Sequence, residues 1–408
     1  MRSLKFALAL IVGSFATSTL AQHTLDRPLG EPQDFHLDSG VQANLAIEPQ
    51  TVFLEMIALR DAAWLRIYFA EVQLEGDSFI RITSLLDLDV QELDANGMAM
   101  WLNSSAYFNG NAVLVELVAA PGTTKNRFVI DQVGMETAVA LPAGGCGICG
   151  ADNRVRSDED WSARLLPAGC TASVWNTDSC IVSAGHCVGG NMVIQFRVPN
   201  SNGNCSLNHP PAADQFPINS VLFTNGGVGN DWSAMTSGTN NLGQTPYDRY
   251  GEFRPIATSP PVAGNALAIW GYGVDSPCTL SQTQQTSTGS VVAVGGTFFR
   301  HNVDATFGNS VSGIIRNGEI LGIVTHCPCP NWATRVDHAG FAAAREQLCP
   351  APTCPWDLDD SGTVGAADLL DLLFNWGPCP GCAADFDDDD IVGASDLLAM
   401  LFNWGPCP

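Results

Sequence analysis

Gly308-Asn309-Ser310-Val311-Ser312-Gly313 sets a serine in a turn-forming run, and two further stretches precede it in the chain, Ser183-Ala184-Gly185-His186-Cys187 and Gly229-Asn230-Asp231-Trp232. Around them, from Cys146 to about Pro350, the sequence is a succession of short strand-like runs and turns with ten cysteines and little helical periodicity. Strands at this spacing predict a barrel or a pair of barrels. A serine hydroxyl is a weak nucleophile at neutral pH until an imidazole takes its proton, and the imidazole needs a buried carboxylate to fix its tautomer. The three stretches hold one residue of each type that this chemistry requires.

Together, in the order His, Asp, Ser, the three motifs resemble those of the trypsin-like (chymotrypsin-fold) serine endopeptidases, and most closely the exported bacterial branch that includes glutamyl and lysyl endopeptidases. The resemblance covers roughly residues 146–350. It implies a double β-barrel that cleaves protein or peptide substrates without a catalytic cofactor. His186 is then the general base, Asp231 its orienting partner and Ser310 the nucleophile, with the backbone N–H groups of Gly308 and Ser310 as the oxyanion hole. A Cys170–Cys187 disulfide behind the histidine is implied as well. Asp304, six residues before Ser310, matches the pocket-floor acid of trypsins and implies a P1 Lys or Arg, although in the bacterial branch an Asp at this place need not face the pocket. Val324 stands where glutamyl endopeptidases carry the histidine that binds an acidic P1, and His326 lies two residues later.

Two departures bear on activity. Val311 replaces the glycine that follows the nucleophile in the family, and a β-branched residue is strained there if the backbone needs a positive φ. The alternative function follows from it: a catalytically inactive protease fold serving as an extracellular binding or anchoring protein. Asn309 stands where trypsins carry the Asp that pairs with a freshly cut N-terminus, and no Ile-Val-Gly-Gly run lies near Cys146. Activation by that ion pair is not expected, while removal of residues 22–140 as a propeptide stays compatible with the sequence.

Outward from this region, the 408 residues, 46% hydrophobic, suffice for two or three domains. Met1-Arg2-Ser3-Leu4-Lys5, the apolar run Phe6 to Phe15 and Thr19-Leu20-Ala21 read as a signal peptide over 1–21. Export to an oxidising compartment accounts for fourteen cysteines, none before Cys146. Residues 22–140 alternate apolar and polar residues in runs such as Trp64 to Phe69 and Ala112 to Leu117, which predicts a β-sandwich acting as an accessory or pro-domain, or as a binding module for carbohydrate or protein. Leu141-Pro142-Ala143-Gly144-Gly145 reads as the hinge. With 18 Lys+Arg against 42 Asp+Glu, net −24, nucleic acid and anionic membranes are repelled, and no stretch after the leader is long and apolar enough to span a membrane.

From 354 to 408 the chain repeats itself. Asp357-Leu-Asp-Asp-Ser-Gly-Thr-Val-Gly-Ala-Ala-Asp368 and Asp385-Phe-Asp-Asp-Asp-Asp-Ile-Val-Gly-Ala-Ser-Asp396 start 28 residues apart, and both run on to Phe-Asn-Trp-Gly-Pro-Cys-Pro. Oxygens at positions 1, 3, 5 and 12 of a twelve-residue loop, Asp357, Asp359, Ser361, Asp368 and Asp385, Asp387, Asp389, Asp396, with the carbonyls of Thr363 and Ile391 at position 7, are spaced to wrap a hard cation such as Ca2+. Position 6 is Gly362 in one loop and Asp390 in the other. One amphipathic helix after each loop, with none before, makes paired half EF-hands that resemble a dockerin domain. That resemblance implies a cohesin-like protein partner. Cysteines flank each repeat at an equal separation of 25, which predicts disulfides Cys354–Cys379 and Cys382–Cys407.

Overall fold

The computed structural model describes residues 21–22, 29–137, 147–310, 312–350, 354–359, 361–387 and 389–407. The leader up to Leu20, the hinge at 141–145 and Val311 lie outside the described residues, as does Cys146. Two units are present, Met1–Ala344 and Arg345–Pro408.

The alternation read in the first third becomes antiparallel sheet. Glu31–Asp38, Thr123–Thr137, Ala62–Gln73 and Phe108–Asn109 form one sheet, with Gln42–Asn44 added on Thr123–Thr137. Gln50–Ala58, Ala112–Ala119, Phe79–Ser84 and Val90–Leu93 form a second. Every second residue of Phe79–Ser84 is buried, which is the strand period acting on one wet and one dry face. Ile67, Ile80, Ile82, Val115, Leu117 and Phe128 share one core cluster from both sheets.

Six strands then close into a barrel: Ser162–Leu166, Cys170–Val174, Cys180–Ser183, Asp231–Ser237, Gln215–Asn225 and Val193–Gln195. Six more, Glu319–Cys327, Gly313–Arg316, Ala266–Gly271, Gln285–Val294, Phe298–His301 and Asn331–Arg335, run in that order, and pairing of the first with the last closes a second ring. The fold is therefore mostly β, with two six-stranded barrels.

The cysteine-free segment is fused to the first barrel rather than strung from it. Leu166 and Val193 of the barrel strands, with Leu207 and Ala212 of the connection before Gln215–Asn225, belong to the same apolar cluster as the two sheets. Polar contacts cross the seam too: the Tyr107 N–H donates to Gln215 Oε1 at 3.0 Å while Gln215 Nε2 donates to the Tyr107 carbonyl at 2.8 Å. Arg66 donates to the Asn191 carbonyl at 2.7 Å, and Glu136 Oε2 accepts from both Trp64 Nε1 and the Leu207 N–H. Burial raises the Glu136 pKa.

Two histidines inside this unit are held neutral. Burial pushes His301 down to about 3 and His209 well below the usual imidazole range. The unfolded chain protonates each near pH 6.5, so below that pH it binds more protons than the native state and stability falls as the pH drops. For His301 the loss between pH 6.5 and 5 is about 2 kcal/mol. The urea midpoint is expected to fall between pH 7 and pH 5, and His301→Leu to reduce that fall; an equal fall in both proteins counts against the assignment.

In the second unit, two loop-helix repeats carry the helices Ala366–Phe374 and Ala394–Phe402 around a small core of Val364, Leu372, Ala384, Val392 and Met400. The cysteine pairing expected from equal spacing is corrected here. Thr363–Val364 pairs with Gly405–Pro406, and Gly377–Pro378 with Ile391–Val392, so each repeat is bracketed by the other's flank. The disulfides are accordingly Cys354–Cys407 and Cys379–Cys382, in place of Cys354–Cys379 and Cys382–Cys407.

Candidate active site

His186 sits in the short turn Gly185–Cys187 that follows the strand Cys180–Ser183. Gly185 is needed because a Cβ would overlap the Thr224 carbonyl of a neighbouring strand. The Cys170–Cys187 disulfide holds the turn from behind, the pairing that the family resemblance implies. Asp231 opens the strand Asp231–Ser237 and is fully buried. Both of its oxygens face His186: Oδ2 lies 2.5 Å from Nδ1, and Oδ1 accepts the His186 backbone N–H at 3.1 Å. One carboxylate thus fixes the ring and the backbone that carries it.

Ser310 comes from the second barrel, on the loop between His301 and Gly313. Thr171 of the first barrel ties that loop down, its N–H donating to the Ser310 carbonyl at 3.0 Å and its hydroxyl to the Gly308 carbonyl at 2.9 Å. Gly308 has φ +93°, and a Cβ there would crowd Gln282 Nε2 and the Tyr272 carbonyl, so only glycine fits. Ser310 Oγ and His186 Nε2 are both buried without a hydrogen-bond partner among the described residues. Nε2 is the ring nitrogen left over once Nδ1 is committed to Asp231, hence the one able to take a proton from a hydroxyl. Bonds of this kind are often open in an unliganded site and tighten when substrate arrives.

Asp304 has a different role from the one expected of it. It is buried, and its two oxygens accept the Cys149 N–H at 2.6 Å and the Asn153 N–H at 2.8 Å. The expectation of a P1 Lys or Arg rested on an unpaired carboxylate, and this carboxylate instead anchors the chain that enters the barrel. His326 does approach the site, its ring 6.4 Å from that of His186, and burial lowers its pKa. The strand that bears His326 also accepts Ala21–Gln22 as an antiparallel neighbour, with Gln22 opposite His326. Sequence reading missed Thr171, Gln282 and Arg154, whose contacts come from chain segments remote in sequence and leave no local motif.

In the C-terminal unit the carboxylate oxygens of Asp357, Asp359 and Asp368 lie within 4.8 Å of one another, as do those of Asp385, Asp387 and Asp396. Asp368 also organises its loop by accepting the N–H groups of Leu358, Asp359 and Gly365. Ser361 Oγ donates to the Thr363 carbonyl, and Asp389 Oδ1 accepts the Ile391 N–H. Asp390, at the place of Gly362, takes φ +65° against +82° for the glycine, so the second loop makes the same left-handed turn with a side chain that tolerates it.

No family model and no curated protein matches the chain. Among solved structures, a Glu endopeptidase in complex with MPD is similar over 49% of this chain and 98% of its own, at 18% sequence identity and a TM-score of 0.38. Among the described residues, no helix is long and apolar enough to cross a membrane.

Proposed function

We propose that this chain is an exported serine endopeptidase of the trypsin-like kind, cleaving peptide bonds through His186, Asp231 and Ser310. The observation that carries it is the double engagement of His186 by the buried Asp231, with the nucleophile loop of the other barrel tied across to Thr171. In the reaction, Nε2 takes the Ser310 proton as Oγ attacks the carbonyl carbon, and Asp231 stabilises the imidazolium that forms. The N–H groups of Gly308 and Ser310 receive the oxyanion, and the left-handed Gly308 is what turns the first of them toward it. The proton on Nε2 then passes to the leaving amine, and water repeats the sequence on the acyl-enzyme. None of the described cysteines is free, which fits an oxidising destination.

The C-terminal unit is read as a dockerin-like module that holds Ca2+ through two loops. The convergence of three carboxylates in each loop, with no cationic side chain among them, supports that reading. Helices that bury one face on a small core leave Phe374 and Phe402 84% and 85% exposed, with Trp376 and Trp404 two residues further on about half exposed. Such a surface suits a protein partner of the cohesin type.

A fluorophosphonate probe tests the enzymatic reading, because it is attacked only by an activated serine. The full chain is expected to be labelled at Ser310, and the Ser310→Ala variant to stay unlabelled. A chain that folds but takes no label would be the inactive binding protein that Val311 raises as the alternative.

A further inference from the structure

The chain that enters the second barrel, residues 147–156, meets the nucleophile loop at more than one point. Besides the grip of Asp304 on Cys149 and Asn153, Arg154 reaches the same loop two residues further on. Its side chain is 4% exposed. Nη1 donates to Thr306 Oγ1 at 3.0 Å, to the Val274 carbonyl at 3.0 Å and to Gln285 Oε1 at 3.2 Å, while Nη2 is neutralised by Asp152 at 2.8 Å and Asp275 at 3.1 Å. Thr306 in turn holds Asn309: its N–H donates to Asn309 Oδ1 at 2.9 Å, and its hydroxyl lies 3.2 Å from the same oxygen. Asn309 is the residue between Gly308 and Ser310 and is buried.

We propose that Arg154 is a positioning residue for the nucleophile, acting through Thr306 and Asn309 to set the orientation of Ser310 and of the Gly308 N–H; this rests on the serine-peptidase reading above. Three facts carry it. A buried guanidinium is costly unless its donors are met, and here five residues from four separate stretches, Asp152, Val274 with Asp275, Gln285 and Thr306, meet it, so its place is sharply defined. Its contact with the loop is made on a side chain, Thr306, whose own remaining partners are Val274 and Asn309. Asn309 has its amide oxygen drawn inward by that contact, which fixes the peptide planes on either side, and these planes aim the oxyanion donor and the serine. The brace comes from within the chain, so the loop is held without a newly cut terminus.

The test uses the full chain and four variants, Arg154→Met, Thr306→Val, both together, and Arg316→Met as a control. Arg316 is another buried arginine, bound to Ser259, Pro260 and Asn265 rather than to the nucleophile loop. Arg154→Met and Thr306→Val are each expected to lower kcat and the rate of fluorophosphonate labelling by between about tenfold and a hundredfold, with KM nearly unchanged. The double variant is expected to lose little more than either single one, since both break one chain of contacts. Arg316→Met is expected to lower Tm without a comparable loss of labelling. Additive losses in the double variant, a loss shared by Arg316→Met at equal Tm, or a wild-type labelling rate in Arg154→Met would each overturn the relay alone. Absence of labelling in the wild-type chain would overturn the peptidase reading and the relay with it.

Discussion

Asp231→Asn is expected to lower kcat by roughly 10⁴-fold while the protein stays folded and KM changes little. The reason lies in the two acceptors that Asp231 supplies. Oδ1 takes the His186 backbone N–H and Oδ2 takes Nδ1–H. An asparagine has one acceptor oxygen, and the backbone N–H, fixed in place, claims it. The amide NH2 then faces Nδ1, which must become the acceptor, and the proton moves to Nε2. An Nε2 that already bears a proton cannot take one from Ser310, so the nucleophile stays a neutral hydroxyl. Steady-state kinetics on a peptide substrate, with Tm measured alongside, check this. Turnover within about tenfold of wild type would show that Asp231 does not set the tautomer and that the proton leaves Ser310 by another route.

Chelating calcium from the full chain is expected to unfold the C-terminal unit and leave the barrels intact. Each loop brings three carboxylates within 4.8 Å of one another. In water alone each such pair repels by about 1 kcal/mol, and by more where the loop excludes water. Against this stands a core of five buried residues with half-buried side chains such as Trp356, Leu369, Phe386 and Leu397 packed on it, a small core to hold two helices with the acids unneutralised. The Cys354–Cys407 disulfide keeps the ends together but does not form helical hydrogen bonds. Hydrogen exchange followed by mass spectrometry should show faster exchange across Ala366–Phe374 and Ala394–Phe402 after EGTA, with unchanged protection in Cys180–Ser183 and Asp231–Ser237. Asp368→Ala should have the same effect in its own loop even with calcium present, since it also removes the acceptor of three N–H groups. Identical protection of both helices with and without chelator would end the calcium reading.

Much of this was written locally in the chain. The alternation in Ala112 to Leu117 returns as alternate burial, because period two is a property of the backbone, whereas Trp64 to Ile67 form a strand buried on both faces. The motifs around His186, Asp231 and Ser310 were legible because each needs its neighbours at fixed offsets: a Gly185 that admits Thr224, a Gly308 in the left-handed region. The acid spacing of the two repeats was legible for the same reason, since one short loop must wrap its own oxygens. What the tertiary structure decided is everything that joins remote segments. Equal spacing of four cysteines is compatible with more than one pairing, and strand exchange between the repeats selected Cys354–Cys407. Asp304 stands six residues before Ser310 in either role, and only the entering chain at Cys149 and Asn153 turned it from a pocket acid into an anchor. Arg154 carries no sequence signal at all, because its partners at 274, 285 and 306 lie 120 or more residues away. Contacts of that range depend on how whole strands are laid beside one another, and no local pattern encodes the side chain that will be found across the gap.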